Sequence, residues 1–270
     1  MLKMMKKMKQ SLFTLLLAFL FAFQAFTQTT LEHIAKSGEL RVGMTASQPP
    51  YSMKAKDGSI IGYEVDLAKM FAGSMGVKLT IVETPFNELI GALLEGKVDL
   101  VMSGMTMTME RNMKVAFAGP YFITGKSILT KSPDYSGTDE SSDLNNEALT
   151  LTVLKGSTSE QYVRSEIPEA ELILAESYDD GIKALEEGKA SIMVADYSIC
   201  AYTALLYPEK GLITIDQPLT IEPIGMAMPP NDAHFHNIIQ NYLNALSLIG
   251  ALDMLEVKWF DSGEWVPLVK

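Results

Sequence analysis

The stretch Val98–Phe122, VDLVMSGMTMTMERNMKVAFAGPYF, decides how the rest of the chain is read. Its apolar start, Val98–Met102, predicts a buried strand. The strand opens at Ser103-Gly104 into a loop with hydroxyls at Thr106 and Thr108, then Glu110-Arg111, then a second apolar strand. Such a loop suits an anion. Glycine lets a ligand approach the backbone, and Thr106 and the loop N–H groups supply donors. Arg111 offers a planar fork that holds a carboxylate at two points. The plainer alternative is that Glu110 and Arg111 open a solvated surface helix.

Upstream, LRVGM at 40–44 predicts a strand after a short helix, Thr30–Lys36. Thr45–Pro50 predicts a loop kept extended by two prolines, and Asp57-Gly58 a hairpin turn. Helices are expected over Tyr63–Met75, closed by Gly76, and over Phe86–Glu95 with Leu89, Ile90, Leu93 and Leu94 inward. Val77–Glu83 alternates as a strand. Strand and helix in alternation imply parallel pairing and an α/β layer structure.

Downstream, Lys126–Thr130 is a strand and Ser132–Asn146 reads as an exposed loop with one helical turn. The pattern then restarts: strand 149–154, the turn Lys155-Gly156-Ser157-Thr158, helix 159–165, strand 171–175, helix 178–187, strand 190–195, helix 197–206. A second copy of the same logic implies a second lobe. Pro223–Met228 is a strand, and 232–248 a long amphipathic helix.

Lys3, Lys6, Lys7 and Lys9 followed by the apolar run Ser11–Phe26 form a signal-peptide pattern too short for a membrane span, ending at Ala25-Phe26-Thr27. An uncleaved anchor is the alternative. The run has no cysteine after it for lipid attachment, and the lone Cys200 leaves no internal disulfide. Residues 1–27 contain four lysines and no acid, so the remainder carries 18 basic and 33 acidic residues, a formal charge of −15. That surface disfavours nucleic acid and anionic membranes. The histidines, His33, His234 and His236, are poorly spaced as metal partners, and no cofactor or metal is expected.

Four segments in order resemble the successive signatures of one family: Gly62-Tyr63-Glu64-Val65-Asp66-Leu67-Ala68, Phe86-Asn87-Glu88-Leu89-Ile90, Gly96-Lys97-Val98-Asp99-Leu100, and Ser103–Arg111. The family is the polar amino-acid-binding proteins of ABC importers, and the resemblance covers about Leu40 to Phe260. It implies a two-lobed, type II periplasmic binding protein fold with two crossover strands forming a hinge. It puts the first lobe at 28–124 plus 225–270 and the second at 125–224, after a signal peptide at 1–27. It further implies a monomeric, periplasmic protein, not a lipoprotein and not an enzyme, that hands an amino acid to an inner-membrane permease.

The resemblance also implies roles. Arg111 and Thr106, with Ser103 and Gly104, would hold the ligand carboxylate, and Asp196 its ammonium. Thr158 and Ser159 would help at the carboxylate, and Phe86 would pack on the side chain. Residue by residue, Asp196 also fits an N-cap, and Thr158 and Ser159 an ordinary helix cap. The sequence departs from the family at Thr45, where relatives often carry Asp, and at Gln48, where they often carry Tyr or Phe. Those departures favour a neutral ligand side chain. A sensory binding protein is one alternative. Another is the cyclohexadienyl or arogenate dehydratase group on the same fold, which places a carboxylic acid in the helix after the second-lobe Asp. That helix begins Tyr197-Ser198-Ile199-Cys200-Ala201-Tyr202, without a carboxylate, which leaves Glu64, Glu160 and Glu222 as acids to place.

Overall fold

The computed structural model describes residues 29–135 and 137–269, so the predicted leader at 1–27 lies outside them. Helix α1 (Thr30–Ser37) starts with a reciprocal capping box between Thr29 and Glu32 and stops at Gly38. It feeds β1 (Glu39–Met44), then the small antiparallel pieces β2 (Ser47–Gln48), β3 (Ser52–Lys54) and β4 (Ile60–Ile61). Helix α2 (Tyr63–Met75) buries Tyr63, Glu64, Val65, Leu67, Ala68, Phe71 and Ala72, and leads to β5 (Lys78–Glu83). A 3-10 turn at Phe86–Glu88 leads into α3 (Leu89–Leu94), then β6 (Leu100–Val101), α4 (Met109–Asn112) and β7 (Ala116–Thr124).

The chain then changes sheets within one residue, Gly125, to β8 (Lys126–Thr130). There follow β9 (Thr150–Leu154), α5 (Thr158–Glu166), β10 (Glu171–Ala175), α6 (Tyr178–Glu186), β11 (Ile192–Asp196), α7 (Tyr197–Leu206) and β12 (Ile213–Thr214). It returns through β13 (Glu222–Met228) and ends in α8 (Ala233–Leu248), α9 (Ala251–Glu256) and α10 (Val266–Val269).

The two large sheets repeat one plan. The first runs β5-β1-β6-β13-β7 and the second β10-β9-β11-β8-β12. In each, three strands are parallel and two are antiparallel additions: β13 and β7 in the first, β8 and β12 in the second. The parallel cores follow the predicted alternation. The antiparallel strands belong to the two crossings, which enter each sheet from its neighbour. This is the two-lobed α/β periplasmic binding protein fold. The crossings meet where Thr124 pairs with Glu222. A Cβ on Gly125 would lie 1.9 Å from the Thr220 carbonyl oxygen, so only glycine fits there.

One core packs under the first sheet around Leu40, Val42, Leu67, Phe71, Phe235 and Trp259. Another lies in the second sheet around Ile128, Leu151, Val153, Ile192 and Val194. A third cluster spans both, with Tyr51, Phe86 and Leu89 against Leu154, Tyr178 and Met193. Burial of each such side chain contributes about 1.5–3 kcal/mol. Leu94, expected inward, is exposed: the buried face of α3 is Leu89, Ala92 and Leu93, and Leu94 falls on the next position round the helix, beyond its edge. The 132–146 segment holds two 3-10 turns rather than one and buries Leu144. No helix among the described residues is long and apolar enough to cross a membrane.

Candidate functional site

The Ser103–Thr108 loop is stitched to the return crossing. Gly225 N–H donates to the Met105 carbonyl (3.1 Å), and Met107 N–H donates to the Pro223 carbonyl (2.8 Å). A Cβ on Gly225 would come within 2.7 Å of the Met107 side chain, so glycine permits the close approach. The loop ends in α4, where the Thr108 hydroxyl caps the helix by accepting the Arg111 N–H. This cap turns Arg111 inward, not toward solvent as on the surface-helix alternative.

Arg111 is only 6 % exposed. Its Nη1 donates to the Thr106 carbonyl (2.9 Å), and its Nη2 to the Gly156 carbonyl across the lobes (3.1 Å). The guanidinium lies 5.6 Å from the Phe86 ring centroid. Among the described residues it makes no ion pair with a carboxylate. Burial pushes its pKa down from the usual arginine range, and the fields of Asp196 and Glu222 act against that.

Asp196 ends β11 and stands at the N-cap of α7, yet its side chain makes no capping bond. Its Oδ1 instead accepts from Lys126 Nζ at 2.6 Å. Lys126 starts β8 directly opposite Asp196 in the antiparallel register. Glu222 lies 3.6 Å from the same ammonium.

Thr106 and Thr158 bring their hydroxyls to 3.4 Å of each other, again across the lobes. Ser157, not Thr158, caps α5, and the Gly156 N–H donates to Glu160. The turn's first N–H is therefore already used. Ser159 Oγ is buried without a hydrogen-bond partner. Thr45, Gln48 and Ser103 form a closed set: Gln48 Oε1 accepts from both hydroxyls, and Ser103 Oγ accepts the Thr45 N–H. Gly104 spends its N–H on the buried Glu64 carboxylate at 2.7 Å, which also accepts from the Tyr121 hydroxyl. The loop that reads as a row of free donors is thus partly satisfied from within.

The structure adds residues that the sequence reading missed. Tyr51 accepts from Ser198 (2.9 Å) between the lobes. Tyr178 faces Gln48, and burial together with the field of Asp196 pushes both phenols well above their usual range. Lys126 had a signal: it begins a strand, KSILT, whose five positions are all buried. Two cavities of about 350 and 330 Å³ run along the interface. Thr45, Gln48 and Phe86 face Leu154 and Tyr178 across the first, and Thr45 and Tyr178 line the second as well. Among the described residues no cluster of His, Cys, Asp and Glu is fit to hold a metal ion. His236 bonds the Phe117 carbonyl, and Cys200 is buried.

The sequence profile of the bacterial extracellular solute-binding proteins, family 3, matches residues 40–262. The chain belongs to this family. Its role is to bind a solute. Relatives include the L-arginine-binding protein of Pseudomonas aeruginosa, 30 % identical over 87 % of this chain and 93 % of that protein. The cyclohexadienyl dehydratase of the same organism is 26 % identical over 87 % of both chains. Among solved structures, an ancestral amino-acid-binding protein, a precursor of cyclohexadienyl dehydratase, is 37 % identical with a TM-score of 0.80, covering 86 % of this chain and all of that one. A binding component of an ABC transporter from Wolinella succinogenes complexed with lysine is 33 % identical with a TM-score of 0.81, covering 85 % of this chain and 99 % of that one. In this family 3 protein the interface at Arg111 joins the 103–108 loop, which is bonded to the return crossing, with Gly156 of the other lobe.

Proposed function

We propose that this family 3 protein works outside the cytoplasm, in a periplasm. It captures a small carboxylate of amino-acid size, an amino acid or close derivative, and delivers it to an ABC-type permease. The lobes, 29–124 with 225–269 and 125–224, close around the ligand by hinge motion at the two crossings. The observation that carries the reading is Arg111: buried, aimed into the interface, and without a carboxylate of its own. An unpaired buried guanidinium is costly until an anion meets it. Thr106 and Thr158 flank the anion, and Phe86 and Tyr178 wall the side-chain space. That space suits an uncharged group. Thr45 and Gln48 carry no charge, and of the acids at the rim, Glu83 and Glu176 are paired with Lys54 and Lys155, while Glu88 and Asp179 line the cavities as well. The arginine-binding relative differs on that point, which makes side-chain charge a feature to test.

The test is a thermal-shift screen of refolded, ligand-stripped protein against the twenty amino acids, their deaminated and hydroxylated derivatives, and prephenate. A tight ligand raises stability by about 2.7 kcal/mol at one hundred times its dissociation constant. A hit returned chemically unchanged supports the reading, and no carboxylate hit would refute it.

Similarity to a cyclohexadienyl dehydratase favours one second reading, an enzyme on this fold. The acids weigh against it. Helix α7 has no carboxylate behind Asp196, and Glu160 is held by Gly156 and Arg164. Glu222 lies beside Lys126, and Glu64 is sealed under Gly104 and Tyr121. Consumption of prephenate by the purified protein would establish the enzyme.

A further inference from the structure

The seat that the family resemblance gives to the ligand's ammonium is filled by the protein itself. Lys126 is 1 % exposed, and its ammonium sits 2.6 Å from Asp196 in a strand pair whose positions are all buried. Its backbone is fixed too: the Lys126 N–H donates to the Thr220 hydroxyl, and Lys126 is paired in register with Asp196. A second ammonium brought to Asp196 would have to share that carboxylate with Lys126, which already holds it at 2.6 Å, with Glu222 the further balancing charge at 3.6 Å from Lys126. The same ammonium has three donors. Asp196 takes one, Glu222 lies 3.6 Å away for another, and one remains to donate.

We propose that the ligand carries a carboxylate but no α-ammonium: a 2-hydroxy or 2-oxo acid. Its carboxylate pairs with Arg111, and its 2-oxygen accepts a hydrogen bond from Lys126. This rests on the assignment of Arg111 as the carboxylate anchor.

The probes are matched triads: each neutral amino acid with its 2-hydroxy and 2-oxo counterparts, titrated calorimetrically into ligand-stripped protein. In the wild type the best hydroxy or oxo acid should bind at least about tenfold tighter than its amino partner. Lys126→Met frees Asp196 and should reverse that order, with a thermal midpoint showing that the variant is folded. If Lys126→Met does not fold, the wild-type order decides alone. An amino acid that binds tightest to the wild type, and loses its affinity in Arg111→Ala, leaves the carboxylate anchor standing and overturns this inference. A wild-type preference that survives Lys126→Met unchanged overturns the role given to Lys126. Binding by none of the triads overturns this inference, and the absence of any carboxylate hit in the wider thermal-shift screen overturns the carboxylate anchor as well.

Discussion

Two cations lie buried at the lobe interface, and they are held in opposite ways. Lys126 touches Asp196 and lies near Glu222, so its charge is met inside the protein. Among the described residues the Arg111 guanidinium meets the Thr106 and Gly156 carbonyls and the Phe86 ring, and no carboxylate at ion-pair distance. Carbonyl dipoles hold a guanidinium in place without neutralising it. The difference is between a charge met inside the protein and one that is not. Lys126 is ion-paired in the folded protein, whereas Arg111 makes no ion pair among the described residues, and on the proposed function its partner is the carboxylate of the solute.

The largest expected effect concerns Lys126. Lys126→Met strands a buried carboxylate and should destabilise the ligand-free protein by about 3–5 kcal/mol. Adding Asp196→Leu should recover most of the loss. Urea unfolding of the single and double variants measures this, and additive losses would mean that the two side chains are not coupled.

Glu64 is a buried carboxyl of another kind, hydrogen-bonded but without a cation beside it among the described residues. Burial raises its pKa from an ordinary 4.5 to about 7, with the Tyr121 and Gly104 bonds acting against the rise. The folded protein therefore keeps a proton that the unfolded chain releases between pH 4.5 and 7. Stability should fall as pH rises through that window, by on the order of 3 kcal/mol. Glu64→Gln should flatten the slope, and an unchanged slope in pH-dependent unfolding would remove Glu64 as its source.

Arg111→Ala should weaken carboxylate binding by at least about 2 kcal/mol. In the ligand-free protein the same change should cost less than Lys126→Met does, since no carboxylate loses its partner and what is lost is two carbonyl hydrogen bonds and packing. Calorimetry and a thermal midpoint on one sample separate the two effects. A large stability loss without ligand would place Arg111 with Lys126, as structural. The smallest effect is expected at Asn87, which Gly156 approaches across the lobes. Asn87→Ala should change affinity by less than about 0.5 kcal/mol, and a larger change would extend the anchor beyond Arg111.

Much of this was legible beforehand because the relevant signals are local. Glycines and apolar periods mark the alternating elements, and the Thr106-to-Arg111 spacing marks the loop. The hydrogen-bond set among Thr45, Gln48 and Ser103 was not legible, because it joins positions 58 residues apart, as in the Thr45 N–H to Ser103 bond. Asp196 also fitted a cap, and the position of Lys126 on the neighbouring strand shows where its carboxylate goes. Lys126 itself was passed over because a lysine at a strand start is normally solvated. Its burial follows from antiparallel pairing between strands 70 positions apart in sequence. Leu94 was placed inward because the apolar run Leu89, Ile90, Leu93, Leu94 is wider than the face the helix buries, and Leu94 lies at its outer edge.

A crystal structure of the protein with its tightest carboxylate ligand tests the central claim most directly. The account predicts ligand oxygens at about 3 Å from the Arg111 guanidinium, with the Lys126–Asp196 pair intact beside them. A ligand carboxylate seated elsewhere, with Arg111 still bonded only to the Thr106 and Gly156 carbonyls, would contradict it.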